Sequence, residues 1–132
     1  MALKLQPLRM DYGIEFNDLY FKVTLVSYND ELKELSFAGA CYVNKEASKD
    51  GKTKPIEGLR ISGNFPYNNK EGNWFEDVYN YIKSKAASMK GKTTEQIQAE
   101  NDEEYVKAMK VYGVPENIQD PTYLNFVDAE DC

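Results

Sequence analysis

Two stretches of alternating side chains, separated by a short polar link, constrain this chain more than anything else in it. Positions 19, 21, 23 and 25 are Leu, Phe, Val and Leu, with Tyr20, Lys22 and Thr24 between them. Side chains of a strand alternate between its two faces, so this spacing turns one apolar face toward a core. A second run puts Leu35, Phe37, Gly39, Cys41 and Val43 on one face and Ser36, Ala38, Ala40 and Tyr42 on the other. Asn29-Asp30 between the runs supplies turn chemistry. The pattern predicts a β-hairpin.

The flanking segments extend that reading. Residues 1–11 read as an extended lead-in, because Pro7 opposes an early helix. Residues 44–55 are a polar connector whose first half suits one helical turn, with Asp50-Gly51 reversing the chain. From Ile56 to Phe65, inward Leu59, Ile61 and Phe65 predict a third strand that Pro66 ends. Gly58 and Gly63 within it suggest a bulge or a close backbone approach.

Helical spacing takes over at Asn73, an N-cap residue with Glu76 three positions later, as in a capping box. Trp74, Phe75, Val78, Tyr79, Ile82, Ala86 and Met89 make the apolar stripe, and Trp74 reads as a core anchor. Lys83, Lys85 and Lys90 near the far end suit the helix dipole, and Gly91 stops the helix. A second helix is predicted from Thr93 or Thr94 to about Tyr112, its narrow stripe being Ile97, Tyr105, Met109 and Tyr112. Gly113 and Pro115 end it. Its first half, Thr93 to Glu104, holds one large apolar residue, so that half is either exposed or packed on something outside the chain. Residues 114–132 carry Tyr123, Leu124, Phe126 and Val127, which either dock on the body or on a neighbour.

A chain of 132 residues has room for one domain and buries roughly 65–70% of its unfolded surface. The reading is therefore α+β in one domain, 1–132. Residues 1–72 form a mainly β, antiparallel sandwich-like body, 73–91 a packed helix, 92–123 an insertion with the second helix, and 124–132 an acidic tail. The net charge of −6 comes mostly from residues 114–132, which hold five acids and no Lys or Arg. No basic stripe elsewhere offers a phosphate backbone a partner, so nucleic acid is not expected. No leader pattern and no long apolar run point to a membrane, so folding in a cytoplasm is expected.

Residues able to do chemistry are few. His is absent, which removes the commonest general base and metal ligand. Cys41 reads as a small buried residue and Cys132 as a free thiol, since a reducing cytoplasm disfavours a disulfide. Gly51-Lys52-Thr53 lacks the upstream glycine and strand of a phosphate loop and reads as a charged turn. Asp102, Glu103 and Glu104, or Glu130 and Asp131, are the acids nearest to a cation set, but calcium-loop spacing is missing. They read as a solvated helix start and a hydrated tail. No catalytic residue, metal or cofactor is expected. Among the ten Tyr, Tyr12, Tyr20, Tyr28 and Tyr42 fall in or beside strands, where Tyr serves interfaces and sheets alike.

The order of several short segments carries a resemblance. These are Leu3-Lys4-Leu5-Gln6-Pro7, Gly13-Ile14, the hairpin, Tyr42-Val43-Asn44-Lys45-Glu46-Ala47 and Lys54-Pro55-Ile56. After them come Phe75, Tyr79, Tyr81 and Lys83 on one helix, and Phe126, Ala129, Asp131 and Cys132 at the close. Together they resemble a family of small structural proteins of tailed bacteriophages. The resemblance covers residues 1–85 and 124–132; members pass almost directly from the aromatic helix to the acidic ending, whereas here 86–123 intervene. It implies a collar or baseplate subunit with a β-sandwich body that rings the tail and anchors fibres.

The expected function is therefore a non-enzymatic virion component, assembled in the host cytoplasm, with copies of itself and other tail or fibre proteins as partners. Tyr123, Leu124, Phe126 and Val127 are the candidate interface residues, with completion of the subunit's own core as the alternative. A small acidic phage-encoded module acting on a host protein is the rival function. An enzyme using carboxylates and a metal is a third.

Overall fold

The computed structural model describes residues 2–9, 13–57, 59–114 and 118–132. Its strands in chain order are β1 (Leu3–Lys4), β2 (Leu8–Arg9), β3 (Glu15–Phe16), β4 (Tyr20–Asn29), β5 (Glu34–Tyr42), β6 (Ile61–Pro66) and β7 (Glu130–Asp131). Five of them form an antiparallel sheet in the order β6-β5-β4-β1-β7, curled toward a half-barrel, and β2 pairs with β3 apart from it. Helices α1 (Trp74–Ser88) and α2 (Thr94–Lys110) follow β6, and a 3-10 helix spans Pro121–Phe126. The architecture is α+β. Among the described residues, what shares the core with the large sheet is α1 and the 3-10 helix, where a β-sandwich would place a second sheet of similar size.

The hairpin forms as the alternation predicts. Asn29 Oδ1 accepts the Glu31 and Leu32 N–H groups at 3.0 and 3.1 Å, and the chain reverses through Lys33 at φ 53°. The β4–β5 register shifts between Val23 and Leu25, leaving Thr24 as an extra residue. That bulge inverts the parity of β4. Leu19, Phe21 and Val23 are buried before it, whereas Val26 and Tyr28 pack toward the core after it. Leu25, expected inside, is exposed. Val43 also lies on the surface, one residue past the end of β5.

The predicted third strand begins later than expected, at Ile61, and Ile56 instead donates its N–H to the Cys41 carbonyl at 2.8 Å. Leu59 and Ile61 are buried as predicted. Gly63 marks no bulge, because the β5–β6 register runs through it unbroken; Gly58 lies outside the described residues. The close approach occurs at Gly39 instead. A Cβ there would lie 2.5 Å from Phe21 Cζ and 2.9 Å from the Lys22 carbonyl oxygen. Asp50-Gly51 turns the chain as expected, with Asp50 Oδ1 accepting Lys52 N and Thr53 N at 2.8 Å each and Gly51 at φ 71°.

Helix α1 is capped by Asn73, whose Oδ1 accepts the Glu76 N–H at 3.2 Å. Glu76 returns only a side-chain contact to Asn73 Nδ2, so the reciprocal half of the box is absent. Val78, Tyr79, Ile82, Ala86 and Met89 are buried, and Gly91 follows at φ 87°. Phe75 departs from the expected stripe and is exposed, one position off the core-facing side. Trp74 is half-buried against Tyr28, with ring centroids 5.6 Å apart, and its indole N–H donates to the Lys70 carbonyl at 3.0 Å.

The tail does more than hydrate. β7 pairs with β1, and Cys132 N–H donates to the Ala2 carbonyl at 3.1 Å. Lys83 and Lys90 of the α1 region reach Asp131 and Asp128 at 2.9 and 3.0 Å. The lead-in is likewise a working strand, since β1 sits between β4 and β7 with Leu3 and Leu5 buried.

Three substitutions probe this core. Gly39→Ala is expected to lose about 1–3 kcal/mol by urea denaturation, because neither the Phe21 ring nor the Lys22 carbonyl has room to yield. Gly63→Ala meets only ordinary contact, 3.5 Å from Phe37, and is expected to leave stability within about 1 kcal/mol of wild type. Tyr79→Phe removes the hydroxyl that accepts the buried Val23 N–H at 2.7 Å. Its expected cost is about 1–3 kcal/mol, read in the same denaturation series, for a donor left without a partner.

Candidate functional site

The largest departure from ordinary burial lies along α2 and the residues after it. Thr93 and Gln96 form a full capping box, with Gln96 N–H donating to Thr93 Oγ1 at 3.1 Å and Thr93 N–H to Gln96 Oε1 at 2.8 Å. Only Ile97 and Ala108 of the helix are buried. A polar tie holds its first half to the segment before the 3-10 helix. Asn101 donates to the Gln119 carbonyl and accepts the Gln119 N–H, both at 2.8 Å. Glu100 Oε2 accepts from Gln119 Nε2 at 2.7 Å and from Lys92 at 3.0 Å.

These hydrogen bonds, the Gln119 amide first and the Lys92 ammonium next, hold the Glu100 carboxyl below its ordinary value of 4.5. A carboxylate whose folded pKa is lowered binds fewer protons folded than unfolded, so stability rises with pH through that range. The contribution is present above pH 4.5 and is lost as pH falls through the lowered folded value. Stability followed by fluorescence from pH 6 to 3 is therefore expected to fall more steeply in wild type than in Glu100→Gln.

The second half of α2 carries the apolar surface. Tyr105 and Val106 are about half exposed and Met109 is 76% exposed. Beyond the helix end, Val111, Tyr112 and Val114 are 74, 98 and 86% exposed. A spacing of four puts Tyr105 and Met109 on one helix face, and Tyr112 follows just past the helix end. Tyr112 sits at φ 53°, a left-handed backbone that disfavours side chains larger than Gly, and the Gly113 N–H closes the end on the Ala108 carbonyl at 2.9 Å. Among the described residues, packing within the chain does not explain a fully exposed aromatic in that conformation. A groove of about 350 Å³ runs alongside, lined by Asp102, Glu103, Val106, Lys107 and Lys110.

The expected stripe of Ile97, Tyr105, Met109 and Tyr112 is thus buried only at Ile97. The first half of the helix, expected to be exposed or packed on something outside the chain, is instead tied to Gln119 of the same chain. The signal for the exposed patch lay in plain view as Val106, on a helix whose core-facing positions were already few, and as Val111 and Val114 just beyond its end. Pro115 and Glu116 lie outside the described residues.

The four candidate clasp residues sit together at the 3-10 helix, capped by Asp120, which accepts the Thr122 N–H at 2.9 Å. Tyr123 and Phe126 are buried in the subunit's own core, while Leu124 and Val127 are half-buried against it. Burial pushes the Tyr123 hydroxyl pKa up, with Tyr81 and Asp120 adding to the effect. Tyr28 is also core-facing, beside Tyr67 and Trp74, whereas Tyr20 and Tyr42 pair across β4–β5 and stay half-exposed; Tyr12 lies outside the described residues.

Among the described residues, two of the five candidate acids have ion-pair partners. Glu104 lies 3.7 Å from Lys107, Asp131 is held by Lys83, and Asp102, Glu103 and Glu130 are exposed. Among the described residues no cluster of three or more His, Cys, Asp or Glu is placed to hold a metal ion, and no helix is long and apolar enough to cross a membrane. Cys41 is buried, which pushes its thiol up to about 12, and Cys132 is exposed; neither is in a disulfide. A thiol so shifted is not the reactive thiolate form near neutral pH. Comparison with protein-family models, with curated proteins and with solved structures finds no match to this chain.

Proposed function

We propose that this chain is a non-enzymatic structural component of a tailed-phage virion, a tail, collar or baseplate subunit that joins copies of itself and neighbouring tail or fibre proteins. The observation that carries the reading is the exposed apolar surface of Met109, Val111, Tyr112 and Val114. Large apolar side chains left exposed within one short segment mark a candidate contact region. Asp102, Glu103, Lys107 and Lys110 surround Val106 on the adjoining helix. In this reading the curled sheet with its packed helix is the body that sets geometry, and the inserted α2 segment makes the contact. Ring assembly requires two different, complementary surfaces related by a rotation that closes.

The order of segments shared with small tailed-phage structural proteins supports the virion assignment, and mass spectrometry of purified virions tests it. Peptides of this chain are expected in the particle; their confinement to the infected lysate would sink the reading and favour a module acting on a host protein. The surface itself is tested by the double substitution Met109→Glu/Tyr112→Glu. Both side chains are exposed, so the stability of the subunit is expected to stay within about 0.5 kcal/mol of wild type. Multimer mass by light scattering is expected to fall; an unchanged multimer would remove α2 from the contact.

A further inference from the structure

β6 forms one edge of the five-stranded sheet, and alternation decides which of its backbone groups face outward. Leu5 N–H donates to the Leu19 carbonyl, so Leu19 and Phe21 turn their backbone groups toward β1. Cys41, the cross-strand partner of Phe21, therefore turns its own away from β4, and its carbonyl accepts from Ile56 on the β6 side. Residues 39, 37 and 35 follow Cys41 by twos, and their β6 partners Ile61, Gly63 and Phe65 are the ones hydrogen-bonded inward. Ser62 and Asn64 are left with N–H and C=O aimed at the open edge. Among the described residues nothing takes those groups.

We propose that β6 is a self-pairing edge, joining two copies of this chain antiparallel about a twofold axis at Gly63. The sequence Ile61-Ser62-Gly63-Asn64-Phe65 reads apolar, polar, Gly, polar, apolar, and so is its own reverse. In the Gly63-centred register Ser62 lies opposite Asn64 of the second copy, and the two exchange both backbone hydrogen bonds. Ile61 lies opposite Phe65 of the second copy on the core-facing side, where Phe65 is half-buried and stacked on Tyr81 at 4.2 Å. This register keeps Pro66, which has no N–H to give, outside the bonded pairs. Shifting by two residues toward Pro66 would bring it in.

The choice of a second copy rests on charge as well as pattern. β6 contains no charged residue, whereas edges that must stay single are usually guarded by Lys or an inward charge. The net charge of −6 comes mostly from residues 114–132, whose strand β7 lies at the opposite edge of the sheet, so like-charge repulsion between copies is concentrated there. The neutral strip is where two copies approach without that repulsion. The inference stands on the sheet edge alone and does not depend on the virion reading.

Light scattering of the full chain, over a dilution series with circular dichroism on each variant, tests it. Wild type is expected to be a dimer or an even multimer. Ser62→Lys/Asn64→Lys places like charges opposite each other in both pairs and is expected to raise the dissociation constant roughly tenfold or more. Ser62→Lys/Asn64→Glu places opposite charges in the same register and is expected to retain the dimer. A monomeric wild type at every concentration overturns the inference, and so does equal behaviour of the two variants. A multimer that dissolves with Met109→Glu/Tyr112→Glu yet ignores the lysine pair also overturns it, while leaving the α2 reading in place.

Discussion

The Phe21 ring occupies the space that a side chain at position 39 would need, and the rest of the core is arranged around it. Its edge meets Phe126 at 4.8 Å between centroids and Tyr79 at 6.3 Å, both near perpendicular. One side chain thus touches the sheet, α1 and the 3-10 helix. Aromatic pairs of this geometry contribute about 0.5–1.5 kcal/mol each beyond the area they bury. Gly39 is what lets the ring lie flat against β5. The C-terminal segment is held through the same contact, since Phe126 is fully inside the body and β7 follows four residues later.

The bulge at Thr24 divides the core into two parts. Before it, β4 contributes Leu19, Phe21 and Val23 to an aliphatic and phenyl centre beneath α1. After it, Val26 and Tyr28 turn inward to join a second aromatic group. There Phe65 stacks on Tyr81 at 8° between planes, with Phe37 and Tyr67 against their edges. Tyr67 donates its hydroxyl to Asp77, which pushes the phenol up to about 12 and ties the β6–α1 loop to the first turn of the helix. Without the parity change, Leu25 would be inside and Tyr28 in solvent, and Trp74 would lose the ring it packs against. An extra residue that strengthens twist also helps a five-stranded sheet curl.

Polar and apolar contacts exchange their usual places in α2. Where its sequence is most hydrophilic, Asn101 and Glu100 bind it to the body through Gln119 and Lys92. Where it gains apolar residues, those residues leave the body. Such an arrangement keeps the helix oriented by directional hydrogen bonds while its hydrophobic surface stays available. The β6 edge offers a different kind of contact, backbone pairing on a neutral strip. In the proposed assembly, the self-pairing edge and the separate apolar patch would be the two independent surfaces that extended or ring assemblies need.

Much of the local structure was legible from residue order, because each signal needed only its neighbours. The hairpin with its Asn29 turn, the Asn73 cap, the Gly91 stop and the Asp50-Gly51 reversal follow from alternation, capping and backbone preference. The candidate site was legible in part: the exposed α2 patch is visible as surplus apolar residues, but which half of the helix was anchored was not. The reason is that Asn101 meets Gln119 and Glu100 meets Lys92 across loops, and nothing local marks such a partner. Likewise the bulge at Thr24 depends on how β5 registers against β4, and β7 becomes a strand only because β1 is there to pair with it. The amino-acid order determined the long hairpin strands, the two helices and most of their inward faces, because those follow from short-range sterics and periodic burial. The tertiary structure alone decided the parity change at Thr24, the pairing of β1 with β7 and the anchoring of α2, since those depend on packing volume and hydrogen-bond partners contributed by residues distant in the chain.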